Sequence, residues 1–369
     1  MIPIYIPYLN KNAKKYVAKC VRTNWISSQG EYVQKFEKAL ARYHRVKFCI
    51  ATSGGTSALH LAIKSLNIGK GDEVICPDLT FIAPANMIVL SGATLKLVDI
   101  DPETLAIDHK KIEKKITKRT KAIMVVHQFG HSADMDPIIK IARKHNLRII
   151  EDNAESIGGK YKRKTLGTLG DVATLSFYAN KIITSGEGGA VLTNSKKIAE
   201  RCSMLRDHGM LRNTDFIKRY THLDLGYNYR MTNMQAAVGL SQIEIINKIM
   251  KKRNTQITLY TKYLSQINEI KVRSFKDWCT PVHWMTTITL HKKNLKNKLI
   301  RFLLKNGVDA RPMINPVHEA KHFKNSFNKN DFRNSTKISR NSLHLPSSTN
   351  LTKQEINFIC KKIKVFFKK

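Results

Sequence analysis

Paired cysteines are absent from this sequence. Its 369 residues include six cysteines, none of them in the closely spaced pairs that are typical of zinc sites. This scatter favours reduced thiols in a cytoplasmic protein over a disulfide framework, and we expect no structural metal. The six are Cys20, Cys49, Cys76, Cys202, Cys279 and Cys360.

Long apolar runs are also absent. No segment has the roughly 20 apolar residues that cross a bilayer. The first residues, MIPIYIPYLNKN, contain two prolines and no basic stretch of the kind that begins a secretory signal. We therefore predict a protein without a membrane span. A hydrophobic fraction of 42% and a charged fraction of 25% are ordinary for a globular chain with room for two domains.

Acidic residues are scarce, because 28 Asp and Glu stand against 64 Lys and Arg and leave a net charge of +36. One hypothesis that this charge allows is a non-catalytic regulator that binds nucleic acid. However, the chain has no zinc-finger spacing, RNP-type motif or recognition-helix pattern. We favour lysine-rich solvent-facing surfaces as the explanation, and a field that attracts an anionic substrate or polymer stays open.

Apolar runs alternate with segments of helical period, for example FCIAT before TSALHLAIKSL and AIMVVHQFG before MDPIIKIARKHN. This alternation predicts an α/β fold with a mostly parallel sheet between helices, whose ligands bind at the carboxyl ends of the strands. We place a large domain at residues 1–245 and a smaller α+β domain at residues 246–369. An N-terminal arm of residues 1–30 is expected to pack on the smaller domain.

One lysine, Lys181, has neighbours unlike those of the other lysines. It lies between the apolar run VATLSFYA and the glycine-rich turn TSGEGG, whereas most lysines fall in charged runs such as KKIEKK. A lysine at such a position is partly desolvated, which lowers the pKa of its amine and makes it a usable nucleophile or base.

Other candidate groups also follow predicted strands. The turn SGGTS at residues 53–57 precedes a helix, where backbone N–H groups can hold a phosphate. Phe81 follows the next strand and offers an aromatic face, and EDNAES places Glu151, Asp152 and Glu155 after an apolar run. Taken singly, each has an ordinary structural explanation. Together they are the parts of a pyridoxal-phosphate (PLP) site, with a lysine, an acid, an aromatic face and phosphate donors.

With these residues in view, the chain resembles the fold-type I, PLP-dependent sugar aminotransferases of the DegT/DnrJ/EryC1/StrS family. The resemblance covers nearly the whole chain. Its motifs are WISSQGEYVQKFE, EDNAESIGG, TLSFYANKIITSGEGG, GYNYRMTN, RPMINPVH and LHLPSSTNLT. The order and spacing of the acidic, serine, lysine and asparagine positions agree with the family pattern; these are Asp152, Glu155, Ser176, Lys181 and Asn228.

The resemblance implies a role for each of these residues. Lys181 would bind the cofactor covalently, Asp152 would pair with its ring nitrogen, and Phe81 would stack on its ring. Glu155 would lie near the ring hydroxyl. Within one subunit, the phosphate would be bound by Gly55, Thr56 and Ser176. Asn228 of the partner subunit would also reach it, so that the resemblance implies a homodimer with shared active sites.

The implied activity is transfer of an amino group from glutamate to C4 of a 4-keto-6-deoxy nucleotide sugar. Lys181 separates the chain from related dehydratases that carry histidine there. Glu155 stands where many relatives have glutamine, and together with the other motifs it favours the branch that uses GDP-4-keto-6-deoxymannose. A dTDP- or UDP-linked sugar remains the alternative, because the guanine base leaves no signature in the sequence.

Contacts with the nucleotide sugar are harder to assign. Several polar or aromatic side chains lie in family-like segments, and each also has a plain structural explanation as a satisfied hydrogen-bond partner. We give priority to Arg230 and His318. The full set of substrate-binding candidates is Trp25, His131, His208, Arg230, Arg311 and His318.

Overall fold

Strands and helices alternate along the chain, of which the computed structural model describes residues 1–210, 220–292 and 294–368. The strands are β1 (Phe48–Thr52), β2 (Glu73–Pro77), β3 (Thr94–Val98), β4 (Thr120–Val126), β5 (Arg148–Asp152), β6 (Lys160–Tyr161), β7 (Lys164–Thr165), β8 (Val172–Ser176), β9 (Gly189–Thr193), β10 (Ile270–Val272), β11 (Cys279–Thr280), β12 (Thr286–Leu290), β13 (Arg311–Pro312) and β14 (Ser342–Leu345). The α-helices are α1 (Lys11–Arg22), α2 (Glu31–His44), α3 (Gly55–Ser65), α4 (Ile82–Leu90), α5 (His109–Ile112), α6 (Met135–Lys144), α7 (Lys196–Arg206), α8 (Asn233–Ile243), α9 (Ile246–Leu264), α10 (Lys296–Lys305), α11 (Arg333–Asn341) and α12 (Lys353–Lys368).

The larger sheet has seven strands in the order β1-β9-β8-β5-β4-β2-β3. Strand β9 runs antiparallel to both of its neighbours, and the other pairs in the sheet are parallel. Its central strands are buried and read as continuous apolar runs, as expected for a sheet covered on both faces. The predicted α/β class with a mostly parallel mixed sheet is therefore confirmed.

The helices that cover this sheet are amphipathic. In α6, for example, the buried side chains are Met135, Ile138 and Ala142, which recur on one face at a helical spacing. Burying a side chain such as Met135 or Ile138 stabilises the fold by about 1.5–3 kcal/mol, which fixes α6 against the sheet. Helix α8 begins at a capping box in which the Thr232 and Gln235 side chains bond each other's backbone N–H groups.

A second sheet of four antiparallel strands, β10-β12-β14-β13, lies in the C-terminal part of the chain. It forms its own hydrophobic core with α9, α10 and α12, which includes Tyr260, Leu264, Ile288, Leu299, Leu343 and Ile359. However, Val282 and Trp284 pack in the core of the larger sheet, as does Phe332 on its other face. The predicted boundary at residues 245 and 246 falls between α8 and α9 and stays a prediction.

The N-terminal segment divides its contacts between the two parts of the chain. Ile2 exchanges backbone hydrogen bonds with Gly307 and Asp309, and the carbonyl of Ile4 accepts one from Ser347. Helix α1, in contrast, packs against α8. The first residues of the predicted arm therefore contact segments that flank strands of the C-terminal sheet, and the packing of the whole arm stays a prediction. All six cysteines are free, and in the described ranges no helix is long and apolar enough to cross a membrane.

Candidate active site

A cavity of about 790 Å³ opens at the carboxyl ends of the parallel strands of the larger sheet. The loops after β1, β2, β5 and β8 supply most of its wall, and the C-terminal sheet closes it with residues of β13 and β14. Ligands of open α/β sheets bind at this edge because the loops that follow parallel strands converge there. The predicted site residues are therefore expected to line this cavity.

The turn between β1 and α3 forms one wall. Gly54, Gly55 and Thr56 line the cavity, and α3 begins at Gly55. A β-carbon added at Gly55 would lie 2.7 Å from the β-carbon of Ser176, so only glycine allows the turn to approach β8 this closely. The first N–H groups of a helix have no partner within the helix, which suits this wall for a phosphate beside the Ser176 hydroxyl.

Phe81 stands where β2 leads into α4, and its side chain is 59% exposed on the cavity wall. A phenylalanine is more often buried in the core. At the mouth of a cavity its ring face can instead pack against a flat aromatic ligand.

Asp152, the last residue of β5, supplies a carboxylate at the base of the cavity. It is only 5% exposed, and one oxygen accepts a hydrogen bond of 3.0 Å from the Ala154 N–H. Burial raises the pKa of Asp152, while the Ala154 N–H and the nearby Lys181 charge act in the opposite direction. A buried carboxylate in this setting is stabilised by a cation, and a protonated pyridine nitrogen is one that fits.

Lys181 reaches the same space from the loop between β8 and β9. Its Nζ lies 3.5 Å from Oε1 of Glu155 and 4.1 Å from the centroid of the Trp284 ring. The other carboxylate oxygen of Glu155 accepts a 2.8 Å hydrogen bond from the Phe129 N–H. Burial raises the pKa of Glu155, which the neighbouring Lys181 partly offsets. The amine of Lys181 and the carboxyl groups of Asp152 and Glu155 thus lie in one site that is largely shielded from solvent.

The structure brings together seven of the eight predicted cofactor-binding residues. These are Gly55, Thr56, Phe81, Asp152, Glu155, Ser176 and Lys181, all of which line the cavity. Asn228 does not line it in the single chain. Its side-chain oxygen accepts a 3.1 Å hydrogen bond from Arg230, which also pairs with Asp207 at 2.5 Å and lies 3.4 Å from the His208 ring.

Of the predicted substrate contacts, only Arg311 lines the cavity. His131 is fully buried elsewhere, between the Ser132 carbonyl and the Lys276 N–H. The buried His318 ring bonds the Asp78 carboxylate at 2.8 Å and stacks on a phenylalanine. Both histidines are satisfied within the protein. Trp25, Arg230 and His208 lie outside the cavity wall of this chain, with Trp25 exposed.

Other residues of the wall were not singled out from the sequence. Trp284, from the segment VHWM, places its ring beside Lys181, and Tyr178, Tyr229 and His344 also line the cavity. The His344 ring is buried against Phe129, and burial lowers its pKa to about 4, so the ring is neutral.

The chain's residues fit PLP. The glycine turn and Ser176 suit the phosphate, Phe81 the ring face, Asp152 the ring nitrogen, and Lys181 the aldehyde. The bound cofactor would supply an aldehyde that takes up the amino group and a ring that withdraws electrons from the reacting carbon. Fold and site together define a PLP-dependent aminotransferase.

Comparison with known proteins gives the family. The chain matches the DegT/DnrJ/EryC1/StrS aminotransferase family over residues 7–364 and belongs to it. It is 39% identical to a GDP-perosamine synthase of Escherichia coli O157:H7, with 99% of this chain and 98% of that protein covered. A GDP-perosamine synthase of Caulobacter vibrioides is 42% identical, with 96% and 95% covered.

Solved structures give the same fold. Helicobacter pylori PseC, an aminotransferase involved in the biosynthesis of pseudoaminic acid, superimposes with a TM-score of 0.93 at 27% identity, covering 100% of this chain and 99% of that one. An aminotransferase from Psychrobacter cryohalolentis gives a TM-score of 0.91 at 28% identity over 98% of each chain. The predicted family, cofactor and enzyme class are confirmed.

Phe81 offers a test of the ring-binding wall. We expect Phe81→Ala to weaken PLP binding by about 10-fold, because an aromatic stacking contact contributes about 1 kcal/mol beyond buried area. Phe81→Tyr keeps the ring face and should retain most of the affinity. Fluorescence titration of the cofactor-free protein with PLP measures the difference, and equal affinities for Phe81→Ala and the unsubstituted chain would contradict the assignment.

Proposed function

We propose that the chain transfers the amino group of glutamate to C4 of GDP-4-keto-6-deoxymannose, so that the product is GDP-perosamine. The observation that carries this proposal is the agreement of three GDP-perosamine synthases, which are 37–42% identical to this chain over 95% or more of both lengths. The cavity that gathers Asp152, Glu155 and Lys181 supports it with the chemistry that amino transfer requires.

The proton transfers fall to Lys181. With PLP and glutamate bound, the free Nζ of Lys181 would lie beside Glu155, where it can move the proton from the α-carbon of glutamate. The same amine returns a proton to C4 of the sugar in the second half of the reaction. Asp152 would hold the ring nitrogen of bound PLP protonated, because its buried carboxylate would be stabilised by that cation.

The assembly and location complete the proposal. We propose a cytoplasmic homodimer in which Asn228 of the partner subunit reaches the phosphate. The position of Asn228 outside the cavity of the single chain agrees with this, as does the exposed apolar surface of Leu223 and Leu225 nearby. In the single chain, Arg311 lies at the cavity and is a candidate for binding an anionic group of a substrate. Arg230, which contacts Asn228, stays a candidate for the same role in the site of the partner subunit.

A substrate panel tests the proposal. Purified protein receives glutamate and, in turn, GDP-, dTDP- and UDP-linked 4-keto-6-deoxy sugars, and products are identified by mass spectrometry and NMR. We expect the GDP sugar to be aminated at C4 with the highest kcat/KM. The dTDP sugar belongs in the panel because a dTDP-3-amino-3,6-dideoxy-alpha-D-galactopyranose transaminase is 39% identical over 69% of this chain.

Each other outcome has a definite meaning. Preference for the dTDP or UDP sugar would overturn the perosamine assignment and leave the cofactor site intact. A colourless protein without aminotransferase activity that binds DNA with steep salt dependence would instead favour the regulator hypothesis. A gel-filtration mass of one chain, 42.1 kDa, would contradict the shared active site.

A further inference from the structure

The loop that carries Lys181 is held from outside by two aromatic residues. The hydroxyl of Tyr5 donates a 2.8 Å hydrogen bond to the Lys181 carbonyl. The indole N–H of Trp284 donates one of 2.6 Å to the carbonyl of Asn180, and its ring lies under the Lys181 amine at 4.1 Å. Two successive peptide groups and the reactive amine are therefore fixed by residues distant in sequence.

Behind these two residues lies a buried cation. Arg253 of α9 is 1% exposed, and the centre of its guanidinium lies 4.9 Å from the centroid of the Tyr5 ring. One of its N–H groups points to the Trp284 carbonyl at 3.4 Å. Two other nitrogens, Nε and Nη2, have no hydrogen-bond partner in the described part of the chain.

Such a residue is costly for the fold. An unpaired guanidinium loses its hydration on burial, and aromatic faces and carbonyls replace that hydration only in part. Burial lowers the pKa of Arg253 accordingly. A methionine of similar length would fill the space without this cost. The arginine is explained if its contacts with Tyr5 and Trp284 serve the site in front of them.

We propose that Trp284 is a positioning residue for the catalytic amine, holding Lys181 over its ring face, and that Arg253 acts through Trp284 and Tyr5 to fix the Lys181 loop. The inference rests on the proposed role of Lys181. It assigns to the C-terminal part of the chain and to the first few residues a direct part in the geometry of the reactive lysine. The spacing of residues in the sequence does not indicate that α9 contacts the residues around Lys181.

The ring face has a predictable effect on the amine. A lysine ammonium is attracted to the face of tryptophan, so the contact holds the Lys181 amine at one position over the ring. Other charged or titratable groups share the cavity, and all of them stay in place when Trp284 is changed. They are Asp152, Glu155, Tyr178, Glu187, Tyr229, Arg311 and His344.

The first experiment measures that amine directly. The full chain is freed of cofactor, and labelling of Lys181 by an amine reagent at a fixed pH is followed by mass spectrometry. We expect Trp284→Leu to make Lys181 react about fivefold faster, because loss of a cation–π contact of about 1 kcal/mol releases the amine from the ring. Trp284→Phe keeps a ring and should give a smaller increase. Full recovery of the absorbance of bound PLP on reloading shows that each variant remains folded.

The second experiment addresses Arg253. Hydrogen exchange of the loaded protein is compared for Arg253→Met and Arg253→Lys, with exposed Lys251→Met as the matched control on the same helix. Loss of about one hydrogen bond of support should make exchange in residues 177–188 about fivefold faster in Arg253→Met, with β2 unchanged. Arg253→Lys should restore part of the protection.

The outcomes distinguish a failure of the positioning role from a failure of the proposed reaction. An unchanged labelling rate of Lys181 in Trp284→Leu, or uniform loss of protection throughout Arg253→Met, would overturn the positioning role. A substrate panel without amination would overturn the proposed reaction, yet the change in Lys181 labelling would still stand. Equal exchange in Arg253→Met and Lys251→Met would remove Arg253 from the proposal.

Discussion

Lys181→Ala is expected to abolish amino transfer, with kcat reduced by more than about 10³-fold. In the proposed site, the change would remove the covalent attachment point for PLP and the base that moves the proton, and general-base catalysis alone contributes about 10²–10⁴-fold. The fold should persist, because Lys181 lies on a loop at the end of the sheet and its amine contacts the cavity rather than the core. Coupled assays with keto sugar and glutamate measure the rate.

Two further measurements make this prediction specific. Borohydride treatment of the unsubstituted protein should bleach its absorbance and leave the added mass on the peptide that contains Lys181. Lys164→Ala, an exposed lysine on β7, serves as the control and should keep full activity and the same labelled peptide. Transamination by Lys181→Ala at more than a trace rate would show that another group performs the proton transfer.

The sequence located those residues of the site that follow strands. Asp152, Ser176 and the glycine turn lie at the ends of β5, β8 and β1, where an apolar run and its terminal polar residue are visible in the sequence itself. The parallel order of the strands then brings these ends to one edge. For this reason the alternation pattern predicts the fold class and the edge of the sheet at which ligands bind, whereas the role of Ser176 rests on the family resemblance.

Residues from the C-terminal part of the chain were not predictable in this way. Trp284 and Arg253 approach Lys181 through packing between distant segments, and no spacing in the sequence encodes that packing. Two histidines show a second limit of prediction from the sequence. His131 and His318 lie in family-like segments, yet each is buried with a bonded partner away from the cavity. A residue type alone does not tell whether a side chain faces a ligand or the interior.

The two adjacent carboxylates at the end of β5 allow a role in function to be distinguished from a role in stability, because one borders the cavity and the other is buried in the protein. Asp152 borders the cavity and accepts one hydrogen bond from the backbone. Glu151 is fully buried and accepts from His127 and from the N–H groups of Gly167, Leu169 and Gly170. Burial acts to raise the pKa of Glu151, but these bonds outweigh it and lower the pKa below its ordinary value.

The two pKa shifts give opposite dependences of stability on pH. The lowered pKa of Glu151 means that its ionised form stabilises the fold above the ordinary carboxyl pKa, and this stability is lost as pH falls through the lowered value. The raised pKa of Asp152 means that stability of the cofactor-free protein decreases as pH rises through that raised value. A bound cation would remove this second penalty.

We therefore expect Asp152→Asn to reduce kcat by at least about 10²-fold while leaving the cofactor-free protein as stable as before, or more so, at pH 7. A neutral amide does not hold the ring nitrogen protonated, so the ring withdraws electrons less well from the reacting carbon. Glu151→Gln should instead lower the stability of the protein and leave kcat largely unchanged. Its amide nitrogen accepts no hydrogen bond, which leaves buried N–H groups unpaired and lowers stability by about 3 kcal/mol.

Thermal unfolding at pH 7 and steady-state kinetics below the unfolding temperature measure both variants side by side. The absorbance of bound PLP gives a third readout, since Asp152→Asn should shift the pH at which the spectrum titrates and Glu151→Gln should not. An Asp152→Asn protein with an unchanged rate would mean that another residue faces the ring nitrogen. If both variants lost stability equally, the carboxylate of Asp152 would belong to the fold, because a group placed to meet a cation contributes little until that cation is bound.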